Sequence, residues 1–188
     1  MKFKHITGWT TYSLGQIYNS PPIESDYWKG KLINDKQASA EIEGMFNIIQ
    51  QLIAHSKIDI SFIPVELQKA KYYSELLKEF IFEDIRASEF PNLPSRKKCM
   101  FLIPFEVNAM AYAENMKYPL DNKTLLELEL QDPYSLHYAD LTLLNCNSMP
   151  HPQKVEAARR YWQGTEERGL NTEVLFEGRF KIAKVIEK

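Results

Sequence analysis

The pentapeptide Leu126-Glu127-Leu128-Glu129-Leu130 alternates apolar and acidic side chains residue by residue. A β-strand sends successive side chains to opposite faces, so this period of two predicts a strand with one face in a core and the other in water. Neighbouring stretches share the texture. Cys99 to Ile103 is an apolar run of buried-strand length ended by Pro104, and Leu141 to Cys146 reads as another strand. Glu173 to Phe176 and Phe180 to Ile186 read as two more, with Glu177-Gly178-Arg179 between them as a hairpin turn. At the opposite end of the chain, residues 2–7 alternate from Lys2 to Thr7 and stop at Gly8.

Helical patterns fill the interval. Ala38, Ile42, Met45, Phe46, Ile49, Leu52 and Ile53 recur at spacings of three and four and share one helix face. Pro64 suits the first turn of a second helix, where its missing N–H would be unpaired in any case. Ala70, Tyr73, Leu77, Phe80, Ile81 and Ile85 form the apolar stripe of that helix, with Glu66, Lys69, Lys71, Glu75, Lys78, Glu79 and Glu83 mostly on the wet side, and Pro91 and Pro94 close it. Short helices are expected over Glu106 to Met116 and over Gln153 to Gln163, the latter stopped by Gly164. The segment from Tyr12 to Lys36 is rich in turn formers yet carries Tyr18, Tyr27 and Trp28, which suits either packing or a lid over a ligand. Strands at both ends with helices between them predict one α+β domain over residues 1–188, in which the N-terminal strand joins a sheet built from the second half.

Composition bounds the rest. With 44% apolar residues and only 7 Gly and 10 Pro, the chain can build one substantial core. A formal net charge of −2 gives no bulk attraction to a polyanion, although a local basic patch could still contact phosphates. Cys99 and Cys146 sit in apolar stretches and read as buried free thiols rather than a disulfide. The opening MKFKHITG lacks the apolar core of a signal peptide and no run approaches the length of a membrane span, so a cytoplasmic location with no membrane partner is expected. No Gly-rich phosphate loop, H-E-x-x-H helix or G-x-S-x-G elbow occurs. The four histidines, His5, His55, His137 and His151, lack metal-site spacing, so no metal is expected.

The remaining candidates are His5 and Thr7 at the end of the first strand, the basic cluster Ser95-Arg96-Lys97-Lys98 before Cys99, and Glu173 near the C-terminus. Taken alone, His5 and Glu173 read more readily as strand-edge or surface residues, and the basic cluster equally well as a solvated edge. Together they resemble the ADP-ribosyltransferase superfamily, in its diphtheria-toxin-like and rifampicin-modifying branch. Three further features carry the likeness: the turn and extended run at Leu14-Gly15-Gln16-Ile17, the aromatic strand Cys99-Met100-Phe101-Leu102, and the Ala-rich segment Ala109-Met110-Ala111-Tyr112-Ala113. More specifically, the chain is similar to a bacterial domain family of unknown function, through Pro94-Ser95-Arg96, Tyr161-Trp162-x-Gly164 and Glu173-Val174-Leu175-Phe176-Glu177-Gly178. It departs from the superfamily at Ile6, where a Gly is usual, and at Phe101, where a tyrosine would stack on nicotinamide; Tyr112 or Tyr161 could supply that tyrosine.

The resemblance implies an ADP-ribosyltransferase-like split antiparallel sheet with flanking helices, and NAD as substrate. His5 and Thr7 would hold the nicotinamide riboside, with Phe101 or Tyr112 stacking on the ring. Arg96 would bind the pyrophosphate through its planar fork of donors, and Ser95 beside it would be a further cofactor contact. Glu173 would be the catalytic carboxylate, stabilising the positive charge that develops on the ribose as the C1′–N bond breaks. The acceptor would be a protein, a nucleic acid or a small molecule, in a toxin or phage-defence effector with an antitoxin partner. NAD hydrolysis, and a noncatalytic nucleotide- or protein-binding module using Arg96, Lys97 and Lys98, are the alternatives.

Overall fold

The computed structural model describes residues 1–7, 12–20, 63–117 and 123–186. The expected helix over 38–53, the aromatic residues Tyr27 and Trp28, Gly8 and His55 lie outside them. In chain order the elements are β1 (Lys2–Thr7), β2 (Ile17–Asn19), α1 (Ile63–Glu89), β3 (Met100–Pro104), α2 (Ala109–Asn115), β4 (Thr124–Asp140), α3 (His151–Gln163) and β5 (Thr172–Ile186). The arrangement is a mixed α and β fold with a five-stranded antiparallel sheet and, among the described residues, three α-helices.

The sheet runs β2-β5-β3-β1-β4, and β4 pairs with β5 as well, so β1, β3, β5 and β4 close into a ring. Closure leaves one side of each strand facing an enclosed core. Phe3, Leu102, Leu126, Leu128, Val174, Phe176 and Phe180 fill it. The alternate residues of β3, β4 and β5 face outward, where Cys99, Ala139 and Leu175 pack beneath α1 and α3 through Ile81, Phe82, Ala158, Tyr161 and Trp162. Trp162 satisfies its buried indole by donating to the Phe82 carbonyl at 2.6 Å, which ties α3 to α1. A third, smaller cluster of Ile103, Val107 and Ala109 lies against Ile6, Tyr112 and Leu125 and seats α2.

Where no helix covers the outer face, opposite charges sit across from one another. Lys2 and Lys181 flank Glu129, and Lys4 and Lys184 flank Glu127, in direct register. Such cross-strand pairs each contribute about 0.2–1 kcal/mol, which lets the acidic half of the Leu-Glu alternation stay in water.

Three readings of the sequence are corrected. Leu141–Leu144 is a single 3₁₀ turn, capped by Asp140 Oδ1 accepting from the Thr142 N–H at 2.8 Å, and not a strand. An aspartate that binds the backbone two residues ahead diverts the chain from an extended ladder. Glu177-Gly178-Arg179 is not a hairpin turn: β5 runs unbroken through it, with Gly178 opposite Tyr134. The glycine is required by crowding. Its φ is 151°, and a Cβ there would lie 2.7 Å from Tyr134 Cβ. Finally, α1 is rotated from its expected setting. Leu77 and Phe80, assigned to the apolar stripe, are 50% and 36% exposed, whereas Glu79 and Glu83, assigned to the wet side, are buried.

Candidate functional site

Those two glutamates are buried because they meet partners that local periodicity does not reveal. After α1 the chain turns at Ser95, whose carbonyl accepts the N–H groups of Lys98 and Cys99 at 2.9 and 2.8 Å. This turn sends Arg96 inward while Lys98 stays exposed and Lys97 lies over the Phe80 ring at 5.2 Å. The basic cluster is therefore divided, and only Arg96 enters the protein. Arg96 is 5% exposed. Its Nε donates to Glu79 Oε2 at 3.0 Å and its Nη2 to Glu79 Oε1 at 3.4 Å, a two-pronged grip on one carboxylate. Its Nη1 donates to Glu173 Oε2 and to the Tyr161 hydroxyl, and the same hydroxyl donates to Glu173 Oε2. The guanidinium also lies 5.3 Å from the centre of the Phe101 ring and 5.2 Å from that of Tyr161.

A guanidinium, two carboxylates and a phenol thus occupy one low-dielectric space between α1, α3 and β5. Burial opposes the charge on Arg96, but Glu173 and Glu79 more than compensate and hold it well above its ordinary pKa. Burial, and then the charge of Glu173, push Tyr161 well up, so its proton stays in place as the donor to Glu173. The Cys99 thiol is also pushed well up by burial, with Arg96 opposing and Glu173, Glu177 and Glu83 assisting. Next to this centre, Glu83 Oε1 accepts from Ser95 Oγ and from Arg86 Nε, both at 2.8 Å, and Glu177 Oε1 accepts the Ser95 N–H at 3.0 Å.

Glu173 itself is asymmetric. Both of its hydrogen bonds fall on Oε2; Oε1 takes none among the described residues, and the side chain keeps 9% of its surface. Tyr112 on α2 is in electrostatic reach: burial raises its pKa first and the Glu173 charge raises it further. The Asn115 side chain pins the end of α2 to the chain entering β5, donating to the Leu170 carbonyl and to Asn171 Oδ1 at 3.2 Å each.

Of the residues singled out in the sequence, Ser95, Arg96, Phe101, Tyr112 and Glu173 converge here. His5 and Thr7 do not. Phe3 and Leu126 belong to the enclosed core, and His5 pairs with Leu126 in the β1–β4 register, so Phe3, His5 and Thr7 share the inner face of the sheet. Glu173 pairs with Ala139, which faces α3, so it lies on the outer face. His5 Nδ1 is instead 2.9 Å from the Phe101 carbonyl, just past the two paired positions of β1 and β3, and burial lowers its pKa. The histidine on the Glu173 face is His137 of β4, whose Nε2 is 2.9 Å from the Tyr161 carbonyl. Glu79 and His137 are the residues that sequence reading missed. For Glu79 the available signal was two glutamates, Glu79 and Glu83, four apart on a helix that also needs a buried face.

Among the described residues, no group of three His, Cys, Asp or Glu could hold a metal ion, and no helix is long and apolar enough to cross a membrane. The fold and site define an antiparallel α and β protein with a buried Arg–carboxylate centre beneath two helices. The sequence matches, over residues 3–188, the family described as "Protein of unknown function (DUF2441)", and the chain belongs to that family. Comparison with curated proteins gives no match.

Proposed function

We propose that the chain is an NAD-dependent ADP-ribosyltransferase with Glu173 as its catalytic carboxylate, on an ADP-ribosyltransferase-like split sheet. The observation that carries the reading is the divided engagement of Glu173: Oε2 is clamped by Arg96 and Tyr161, while Oε1 takes no bond among the described residues. Breaking a glycosidic C–N bond develops positive charge on the ribose. An oxygen fixed in advance near that carbon, in a low-dielectric site, stabilises the transition state more than the ground state. In this reading Arg96 is the support that aims Glu173, and Tyr112, within electrostatic reach of Glu173, is the aromatic that would meet the nicotinamide. The parting of β1 from β3 after two paired positions supports a split sheet. His5 fills that parting from the inner face, so in this reading it shapes the sheet without touching the reacting ribose.

A second reading is a noncatalytic binding module of the same fold. It is favoured by the ion pair itself, because a carboxylate already sharing a guanidinium has less field to offer an oxocarbenium ion. One experiment separates the two. Purified protein is incubated with labelled NAD and bacterial lysate, and nicotinamide release and label transfer are measured for the parent, Glu173→Gln and the exposed control Glu156→Gln. The transferase reading expects a loss of roughly 10²-fold or more in Glu173→Gln, about 3 kcal/mol, with NAD-induced stabilisation largely kept. Release without transfer indicates hydrolysis. An undiminished rate in Glu173→Gln removes the basis of the assignment, and stabilisation by NAD without turnover in the parent selects the binding module.

A further inference from the structure

A second site is written into β4 and the end of α3, independent of the Glu173 reading. His137 is 6% exposed, and its ring is stacked on Trp162 with centroids 5.2 Å apart and planes at 30°. Its Nε2 faces the Tyr161 carbonyl at 2.9 Å. A carbonyl can only accept, so Nε2 carries the hydrogen and Nδ1 keeps its lone pair. That lone pair has no hydrogen-bond partner among the described residues. The Nδ1–Cε1 edge looks toward Gly164, which has φ 88°; a Cβ there would come within 3.3 Å of Cε1 and 3.8 Å of Nδ1. The glycine therefore ends α3 and also leaves the imidazole edge uncovered. The space continues as a groove of about 310 Å³ whose wall includes Tyr138, Gln163, Thr165 and Glu166.

We propose that this groove binds a cationic nitrogen group, a guanidinium or an ammonium, with His137 Nδ1 and the Glu166 carboxylate as its acceptors. The chemistry follows from the lining, which offers an unmatched lone pair and a carboxylate but no Lys or Arg. An anion finds no cationic side chain in that lining. A cation with N–H groups can donate to the uncovered Nδ1 lone pair and pair with the Glu166 carboxylate. The neighbouring rim already shows this preference: Arg168 lies 3.5 Å from the centre of the Tyr138 ring and donates to the Thr165 and Glu167 carbonyls at 2.8 and 2.9 Å. Either a small free cation or the side chain of a partner polypeptide could supply the group.

The test uses the ¹⁵N-labelled full chain and long-range ¹H–¹⁵N spectra of its histidines. Methylguanidinium chloride should shift His137 Nδ1 saturably, whereas tetramethylammonium chloride at equal ionic strength, which has no N–H, should not. Glu166→Gln, an exposed change that spares the core, should weaken the response roughly two- to fivefold, the scale of an exposed ion pair. Gly164→Ala should abolish it by covering the imidazole edge, and Glu166→Gln keeps the test intact if that variant fails to fold. A capped Gly-Arg-Gly peptide binding more tightly than methylguanidinium points to a polypeptide source, and equal affinity to a small cation. An Nδ1–H tautomer in the free protein, equal responses to both salts, or a response to zinc chloride alone overturns the proposal.

Discussion

Replacing Arg96 by methionine keeps a stem of similar reach up to Nε and removes the guanidinium with its charge. Glu79, gripped through both oxygens, and Glu173 then lose their shared cation in a space where the Arg96 side chain is only 6% exposed. Removing one partner of a buried ion pair costs about 3–5 kcal/mol, because the other charge is left without compensation. Because Arg96 serves two carboxylates, the expected loss is at the upper end, about 5 kcal/mol, a third or more of the stability of an ordinary domain. For a chain of this length that corresponds to a fall in melting temperature of about 10–20 °C. The combined variant Arg96→Met, Glu79→Gln, Glu173→Gln removes all three charges and should recover most of the loss, since neutral amides leave no buried charge unpaired. Urea denaturation of the parent, single and triple variants at pH 7.5 measures this. A single-variant loss below about 1 kcal/mol, or a triple variant less stable than Arg96→Met, would refute the argument that the cluster is held by mutual compensation. An Arg96→Met chain that does not fold beside a folded triple variant is the same outcome in stronger form.

Gly178→Ala should cost about 2–3 kcal/mol, from its φ of 151° and from the Tyr134 backbone 3.0 Å from the new methyl; thermal melting checks it. Burial holds the pKa of His5 and of His137 below the ordinary value, so the unfolded chain takes up protons before the folded one as pH falls. Stability should therefore be level above pH ~7 and decline below pH ~6.5 by up to about 1.4 kcal/mol per pH unit for each histidine; melting at pH 7.5 and 5.5 should differ in that sense, and an increase at the lower pH would contradict it. Cys99 and Cys146 are both free and buried, with pKa values raised by burial. A thiol reagent should count two thiols after denaturation and react with the native protein far more slowly.

The strands of this fold were legible where burial is one-sided and periodic. Lys2–Thr7, Met100–Pro104 and the Leu-Glu alternation of β4 appear where the pattern places them. Errors arose where a breaker residue serves a long-range purpose. Pro133 lies in the register shift between Gln131 and Tyr134 of β4, and Gly178 of β5 stands opposite Tyr134 just beyond it, so both strands pass through residues that locally mark turns. The rotation of α1 is the same lesson in helical form. A stripe drawn from apolar residues alone omits Glu79 and Glu83, because nothing within α1 reveals that Arg96 and Ser95 will arrive opposite them.

The site follows from that difference. Sequence reading proposed Arg96 and Glu173 as separate contacts to one ligand, on the resemblance to ADP-ribosyltransferases. Folded together, they are first contacts to each other. A guanidinium committed to Glu79 through two nitrogens retains one for Glu173 and Tyr161, and this leftover valence clamps a single carboxylate oxygen. Without Glu79, the planar fork could close on both oxygens of Glu173, and Oε1 would no longer be left over. Without Arg96, Glu173 Oε2 would lose the guanidinium that holds it in place. The second carboxylate therefore gives the first its asymmetry. His5 cannot join this arrangement by any side-chain rotation, because residue parity in β1 fixes it on the inner face beside Leu126; only a one-residue register slip would move it, and that slip would expose Phe3.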